Sequence, residues 1–439
     1  MLDPRLARRL YSGVLYLAAP LIGWRVWRES APGHPRRERL GCIPRQAAAP
    51  RLWIHTASVG EVVTAAPLIR GLIQRYPATA IVVTTMTATG AERVDLLFRG
   101  EVSHYFLPLD FPGATRRFLD RLAPTLAIVA ETELWPNLLE ACAQRSVPVL
   151  LANGRLSESA FHTYRRFAAL SHGMLQQVAW VGAKSSLDAE RFRALGCPSE
   201  RVVVTGALKF DLQVDERLRA DSERLRSRWG ERPVWVAGST HPGEDEAVLA
   251  AHARLRRSHP QALLVLVPRH PQRFEAVAEL CRSQGVSLAR RSRGETPTAD
   301  TAVLLGDTMG ELMRFYGAAD LAFVGGSLVP VGGHNLLEPA ALGTPVLSGP
   351  QLDNLREIAN TLAAANARCE VSDGDALGDA LIALFDDPDE RRRLGAAGQA
   401  VVDDNRGALA RTLAEVGTYI EAASGGTPPS GSEAAASGR

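Results

Sequence analysis

The sequence predicts an α/β protein built from two Rossmann-like, doubly wound domains. Short β-branched runs alternate with amphipathic helical stretches, the pattern of βαβ units and a parallel sheet. The series begins near residue 51, pauses after residue 206 and restarts at 234. With 439 residues the chain exceeds what one compact core organises, so two domains are the natural division. Hydrophobic residues make up 46% and charged residues 22%, which supplies a core for each half and excludes a structureless linker protein.

Taken in order, residues 10–24 carry no charge, with Arg5, Arg8 and Arg9 before them and Arg25 and Arg28 after. This run is shorter than the roughly 20 residues that a membrane-crossing helix needs. Tyr11, Tyr16, Trp24 and Trp27 have the amphipathic character of interface residues. Segment 1–30 therefore reads as a shallow membrane anchor. A buried first helix and a secretory signal are the alternatives, the latter weakened by the lack of a clear small-x-small cleavage site. The first domain, 31–210, has strands expected at 52–56, 80–85, 126–130, 147–152, 180–183 and 202–206, with helices at 61–75 and 137–145. The second, 211–405, has strands expected at 234–237, 263–267, 302–305, 321–324 and 346–347. Helices are expected there at 244–258, 272–284 and 309–316. A closing helix at 406–423 follows, and the tail 424–439, rich in Gly, Ser, Pro and Ala, reads as disordered.

Net charge +2 leaves no global basic field, which argues against a nucleic-acid partner. Cys42, Cys142, Cys197, Cys281 and Cys369 are scattered, odd in number and without C-x-x-C spacing, so neither a disulfide framework nor a zinc site is indicated. No H-x-x-x-H or H-E-x-x-H occurs, and Asp373-Gly374-Asp375 reads as a surface turn of turn-forming residues. No metal is expected. Among 50 basic residues only Lys184 and Lys209 are lysines. Genome base composition accounts for the general bias, and the two exceptions remain as points of interest.

Ligands of open parallel sheets bind beyond the carboxyl ends of the strands, so the chemistry is sought there. After the first strand, Ala57-Ser58-Val59-Gly60-Glu61 sets Glu61 in the first turn of a helix. The helix dipole alone justifies a carboxylate at that place, so Glu61 reads either as a capping acid or as a proton acceptor. The hydroxyl-rich turn 85–90 suits sugar binding or capping equally. Glu131-Thr132-Glu133-Leu134-Trp135-Pro136-Asn137 places two carboxylates and a tryptophan at the mouth of the same sheet. In the second half, Pro268-Arg269-His270-Pro271, Asp307-Thr308-Met309-Gly310-Glu311, Gly325-Gly326-Ser327 and Gly332-Gly333-His334-Asn335-Leu336-Leu337-Glu338-Pro339 follow the strands. Glycine turns let backbone N–H groups approach an anion and Arg269 offers a planar, permanent charge, so this half is expected to bind a phosphate-bearing ligand. Neither G-x-G-x-x-G nor a P-loop occurs, which disfavours a dinucleotide oxidoreductase and a P-loop ATPase.

Taken together, the segments at 57–61, 131–137, 268–271 and 332–339 resemble the Kdo (3-deoxy-D-manno-octulosonic acid) transferases of lipopolysaccharide biosynthesis, a likeness running over residues 10–405. The resemblance implies a GT-B fold, two Rossmann-like domains facing across a cleft. It implies the donor CMP-Kdo in the C-terminal half, a lipid A precursor (lipid IVA) in the N-terminal half, and an N-terminal anchor at the cytoplasmic face of the bacterial inner membrane. Matched by motif, Glu61 is the implied general base, and Glu131 and Lys209 are implied to stabilise the reacting groups. Pro268, Arg269, Met309, Gly310, Glu311, Asn335, Leu336, Leu337 and Glu338 are implied CMP contacts. Transfer with inversion needs a base for the acceptor hydroxyl and donors for the departing CMP phosphate, and no metal is expected to be required. A nucleotide-sugar epimerase or hydrolase of the same shape is the alternative enzyme, and an exported sugar-binding protein the alternative outside enzymes.

Overall fold

Strands that are apolar at consecutive positions need cover on both faces, and both sheets of the protein are built that way. A computed structural model describes residues 3–28, 36–47, 49–212 and 214–423. The expected tail, 424–439, lies outside the described residues. The chain divides into two units: one runs up to Asp211 and resumes at Gly407, and the other is Leu212–Arg406.

In the first unit seven parallel strands, β1 (Arg51–His55), β2 (Ala80–Thr85), β3 (Ser103–Phe106), β4 (Leu126–Ala130), β5 (Val149–Gly154), β6 (Trp180–Ala183) and β7 (Val202–Val204), stand in the order β3-β2-β1-β4-β5-β6-β7. Every position of β1, β4, β5 and β6 is buried. Successive residues serve opposite faces: Trp53 packs with Val82, Phe118 and Leu151, while Leu52 and Ile54 pack with Leu68, Ile69 and Phe98. The second unit repeats the plan with β8 (Val234–Thr240), β9 (Leu263–Pro268), β10 (Leu288–Arg290), β11 (Val303–Leu305), β12 (Leu321–Val324), β13 (Val346–Ser348) and β14 (Arg368–Glu370), ordered β10-β11-β9-β8-β12-β13-β14. Winding reverses between β1 and β4 in one unit and between β8 and β12 in the other. Those are the places where such folds open a ligand crevice.

Three strands, β3, β10 and β14, were not expected. They are short edge strands that carry polar residues, so they lack the continuous apolar run that marks a central strand. Asp373-Gly374-Asp375 differs from expectation too. Rather than a free turn, it opens the helix Gly374–Asp386, with Asp373 Oδ1 accepting from Ala376 N at 2.9 Å. The closing helix, Ala408–Ala423, returns to the first unit, where Ala408, Val416 and Ile420 join the core beside Ile54 and Leu68. Gly71 on the helix Val59–Arg75 admits it, since a Cβ there would meet the Leu413 side chain at 2.7 Å.

The first helix spans Pro4–Arg28, well beyond the uncharged run. No described helix is long and apolar enough to cross a membrane. One side is tied to the first unit: Arg8 and Ser12 donate to Asn137 Oδ1 (3.2 and 3.0 Å), and Arg8 pairs with Glu140. Tyr11 bonds the buried Asp110, and Tyr16 packs its ring against Phe111. Leu6, Leu10, Val14, Leu17, Leu21 and Trp24 are exposed, Leu17 to 85%. Their spacing of three and four residues puts them on a single stripe.

Candidate active site

Glu61 sits where β1 gives way to the helix Val59–Arg75. Ser58 caps that helix, accepting from Glu61 N, and the Glu61 carboxylate reaches back to accept from Ala57 N at 2.7 Å and from the Ser58 hydroxyl at 3.0 Å. The carboxylate reaches one residue past the capping-box position, to the N–H before the N-cap, so the capping role open in the sequence is real. It does not exhaust the residue. Glu61 also lines a narrow crevice with Thr64, Glu131, Asn153 and Leu208. Burial pushes its carboxyl up to about 7, the Ala57 and Ser58 bonds oppose this, and the charges of Glu131 and Glu133 add to it. A carboxyl titrating near neutrality is suited to take a proton during catalysis.

Glu131 follows β4 directly, with φ at 54°, and Asn153 at the end of β5 has φ at 55°. Left-handed backbone costs a non-glycine residue about 1–3 kcal/mol and tends to mark functional sites. Asn153 Oδ1 accepts from Leu208 N at 3.1 Å, which pins the short turn Leu208–Phe210, and with it Lys209, to the carboxyl end of β5. Glu133 accepts from Trp135 Nε1 at 3.1 Å, and burial raises its pKa. The remainder of that motif has a second task. Asn137 N and Leu138 N donate to the Asp110 carboxylate, and Asn137 holds the first helix. The hydroxyl-rich turn after β2 is used for capping, with Thr87 accepting from Gly90 N.

The second unit holds a cavity of about 430 Å³ lined by Pro268, Arg269, Met309, Gly310, Asn335 and Glu338, all expected, and by Ser239, Val267, Thr308, Leu312, Met313, Tyr316 and His334. Its size falls within the range of small-ligand sites. Arg269 is exposed, and its charge acts on His241, His334 and Glu338. Burial raises the Glu338 pKa, while Asn335 Nδ2 at 3.3 Å and Arg269 oppose that shift. His334 stacks on His241 with Nε2 to Nε2 at 2.8 Å, so one ring donates and the other accepts. Burial and the neighbouring His241 lower the His334 pKa to about 4, which keeps the pair neutral. A cluster of Met309, Leu312, Met313 and Val267 gives the cavity an apolar side suited to a flat base, and Arg269 gives it a cationic one.

Several expectations change here. The Gly325-Gly326-Ser327 turn does form a nest of backbone N–H groups, but Glu244 fills it. Gly326 N donates to Oε2 at 2.7 Å, and Ser327 N and Leu328 N donate to Oε1 at 3.0 and 2.9 Å. His241 N donates to Oε2 as well. Glu244 is 0% exposed, so this nest serves the fold rather than a phosphate. Gly326 is needed there, with φ at 69° and the His334 ring 3.0 Å from where a Cβ would stand. Glu311 does not line the cavity. Arg291 Nη2 holds it at 2.7 Å, and Thr308 and Arg314 also reach it. Leu336 and Leu337 are core residues, 0% and 1% exposed, so any ligand contact from them is through the main chain. Among the described residues no group of three or more His, Cys, Asp or Glu side chains is placed to hold a metal. Ser239, with φ at 58° at the end of β8, and His334, just before the helix Leu337–Ala341, were missed as individual site residues, although strand-end position marks the first.

A carboxylate site on one doubly wound unit and a nucleotide-sized, Arg-bearing cavity on the other are the parts of an enzyme that acts on a nucleotide sugar. Residues 34–212 match the family described as 3-Deoxy-D-manno-octulosonic-acid transferase (kdotransferase), and residues 245–401 match Glycosyl transferases group 1. The 3-deoxy-D-manno-octulosonic acid transferase of Haemophilus influenzae is 43% identical, covering 94% of this chain and 99% of its own. The transferase of the same name from Bordetella pertussis is 36% identical, covering 93% and 98%. A solved structure, the C-terminal CMP-Kdo binding domain of WaaA from Acinetobacter baumannii, is 34% identical, covers 43% of this chain and 99% of its own, and has a TM-score of 0.42. The chain belongs to the 3-deoxy-D-manno-octulosonic acid transferase family, and its activity is Kdo transfer in lipopolysaccharide biosynthesis. Family membership decides against the epimerase, hydrolase and binding-protein alternatives.

Proposed function

We propose that the enzyme moves Kdo from CMP-Kdo to a lipid A precursor, lipid IVA, with inversion at the anomeric carbon and without a metal. Glu61 takes the proton of the acceptor hydroxyl as its oxygen bonds to the anomeric carbon. The bond from that carbon to the CMP phosphate breaks, and its electron pair leaves on the phosphate oxygen. The observation that carries this reading is the environment of Glu61, a carboxylate poised near neutrality by burial beside Glu131 and Glu133. Glu131 lines the same crevice, and Lys209, on the turn that Asn153 holds, acts with it on the charges that develop. Arg269 takes the phosphate charge, the Glu338 carboxylate accepts from ribose hydroxyls, and Met309, Met313 and Leu312 cover the base. Pro268, Gly310 and Asn335 shape the same wall, and Glu311 acts from behind it by holding Arg291 and Thr308.

The stripe Leu6-Leu10-Val14-Leu17-Leu21-Trp24 supports a membrane-surface position for the first helix, at the cytoplasmic face of the bacterial inner membrane, where a lipid acceptor is presented. The opposite side of that helix is bonded to Asn137, at the start of the helix Pro136–Ala143, six residues after Glu131. Glu61→Gln tests the chemistry. Glutamine still accepts from Ala57 N and preserves the cap, yet it cannot take a proton. Transfer measured by acceptor-dependent CMP release is expected to fall about 10²–10⁴-fold while CMP affinity holds. Turnover near normal would remove Glu61 as base.

A further inference from the structure

The loop that carries Glu131 and Glu133 runs into a helix that does not cap itself. In Pro136–Ala143 the N-cap position belongs to Trp135, which makes no side-chain cap bond, so the N–H groups of Asn137 and Leu138 need an acceptor from elsewhere. Asp110, 27 residues before Asn137, supplies it: Oδ2 accepts from Asn137 N at 3.0 Å and Oδ1 from Leu138 N at 2.8 Å. Asn137 Nδ2 donates back to Asp110 O at 2.7 Å, which closes a reciprocal clamp. Both residues are buried, Asn137 to 2% and Asp110 to 6% exposure. Polar groups at that depth hold as a set, since a member that loses its partner carries its full desolvation cost.

The first helix completes this set. Asn137 Oδ1 accepts from Arg8 at 3.2 Å and from Ser12 at 3.0 Å, and Tyr11 bonds the Asp110 carboxylate. Spaced by three and four residues, Arg8, Tyr11 and Ser12 share the side of the helix opposite the exposed stripe. Burial pushes the Asp110 carboxyl up to about 7, while the bonds from Asn137 N, Leu138 N and Tyr11 and the Arg8 charge hold it down. Tyr11 also lies in electrostatic range of Tyr164, on the helix Glu158–Arg166, and Tyr164 in range of Glu133. The helix therefore reaches the acidic loop by two routes, through Asn137 and past Tyr164. The loop, 131–135, is fixed at one end by β4 and at the other by the clamp.

We propose that Asp110 and Asn137 are positioning residues through which the seated first helix sets Glu133 and Trp135 for transfer, so that the segment offered to the membrane also organises the acidic site. Seated, the helix supplies three donors, Arg8 and Ser12 to Asn137 and Tyr11 to Asp110, and the clamp is locked. Unseated, the two buried acceptors lose those donors, and the loop is released at the end away from β4. The inference rests on the reading of Glu61 as the base.

The full chain carrying Arg8→Met, Tyr11→Phe and Ser12→Ala tests it, since the three donors go while the stripe and the ring at position 11 stay. On a lipid A precursor dispersed in detergent, kcat is expected to fall about tenfold with little change in the CMP-Kdo KM. Burial raises the Glu61 carboxyl, Glu131 and Glu133 add to this, and the Ala57 and Ser58 bonds oppose it. A displaced Glu133 therefore moves the inflection of kcat/KM down by about half a pH unit. Arg8→Lys with Ser12→Thr, which keeps the donors, is expected to match the wild type in both. Hydrogen exchange across 131–140 is expected to quicken about tenfold in the triple variant, with β4, β5 and vesicle binding unchanged. An unmoved inflection, unchanged exchange, exchange that quickens equally in β4 and β5, or a kcat loss that appears only where vesicle binding is lost would overturn the coupling. A wild type that transfers Kdo without an inflection near 7 would overturn Glu61 as the base alone, and the exchange result then decides the coupling.

Discussion

The two units share one scaffold and use its key position in opposite ways. Each is a seven-stranded parallel sheet whose winding reverses next to its first strand, and each follows that strand with a glutamate at the start of a helix. Among the described residues Glu61 in the first unit accepts only from Ala57 N and the Ser58 hydroxyl, beside two further carboxylates, and its pKa is raised. Glu244 in the second accepts from four backbone N–H groups and closes a loop. One carboxylate is left under-satisfied at the rim of a crevice, and the other is spent on holding the wall of a cavity. Function at such a position is decided by what the carboxylate lacks, because a group already matched with donors has little reason to take a proton.

Exchanging each glutamate for glutamine sharpens the contrast. Glu244→Gln leaves an amide where a buried carboxylate received four donors, so unfolding by denaturant is expected to show a loss of about 3 kcal/mol, with weaker CMP binding because the loop beside His334 is released. The same change at Glu61 is expected to leave stability nearly intact, or to increase it above neutral pH. The sign follows from the shift. A carboxyl whose folded pKa is raised is favoured in its protonated form, so its contribution to stability is present at acid pH and is lost as pH rises through about 7. Glutamine has no charge to bury and loses nothing there. Equal stability losses in the two variants would erase the distinction.

Arg269→Ala probes the cavity side of the comparison. Loss of a charged hydrogen-bonding group is expected to weaken CMP binding by about 1.5–3 kcal/mol in calorimetry, with the first unit's acceptor KM little changed. The smallest effect is expected on the first helix. Leu17→Asp places a charge in the middle of the exposed apolar stripe, and vesicle co-sedimentation on anionic lipid is expected to fall roughly tenfold while soluble-acceptor turnover persists. Vesicle binding unchanged by this substitution would reassign the stripe.

Much of the scaffold can be read from the chain because the central strands are continuous apolar runs, as at 52–55, 126–130 and 321–324. The edge strands β3, β10 and β14 carry polar residues such as His104, Arg290 and Arg368, and hydrophobic pattern does not reveal them. Glu61 and Arg269 stand out in the sequence because one opens the helix after the first strand and the other follows a strand directly. The state of Glu61 depends on Glu131 and Glu133, which reach it through the pairing of β1 with β4, a long-range fact. Glu244 reads as an ordinary helix-start acid, since its four donors come from a loop 82 to 84 residues away and from His241. Leu336 and Leu337 belong to a matched motif yet face the core, since a motif marks a segment and not the direction of each side chain.

The pH dependence of transfer in wild type and Glu61→Gln tests the central claim, that Glu61 is a poised base, most directly. If Glu61 is the base, wild-type kcat/KM rises as pH increases and levels off above about 7, where the carboxyl is ionised. The glutamine variant, with CMP affinity retained, then shows a low rate without that inflection. The same inflection in Glu61→Gln, at a rate near that of the wild type, would contradict the claim and move the search for the base to Glu131.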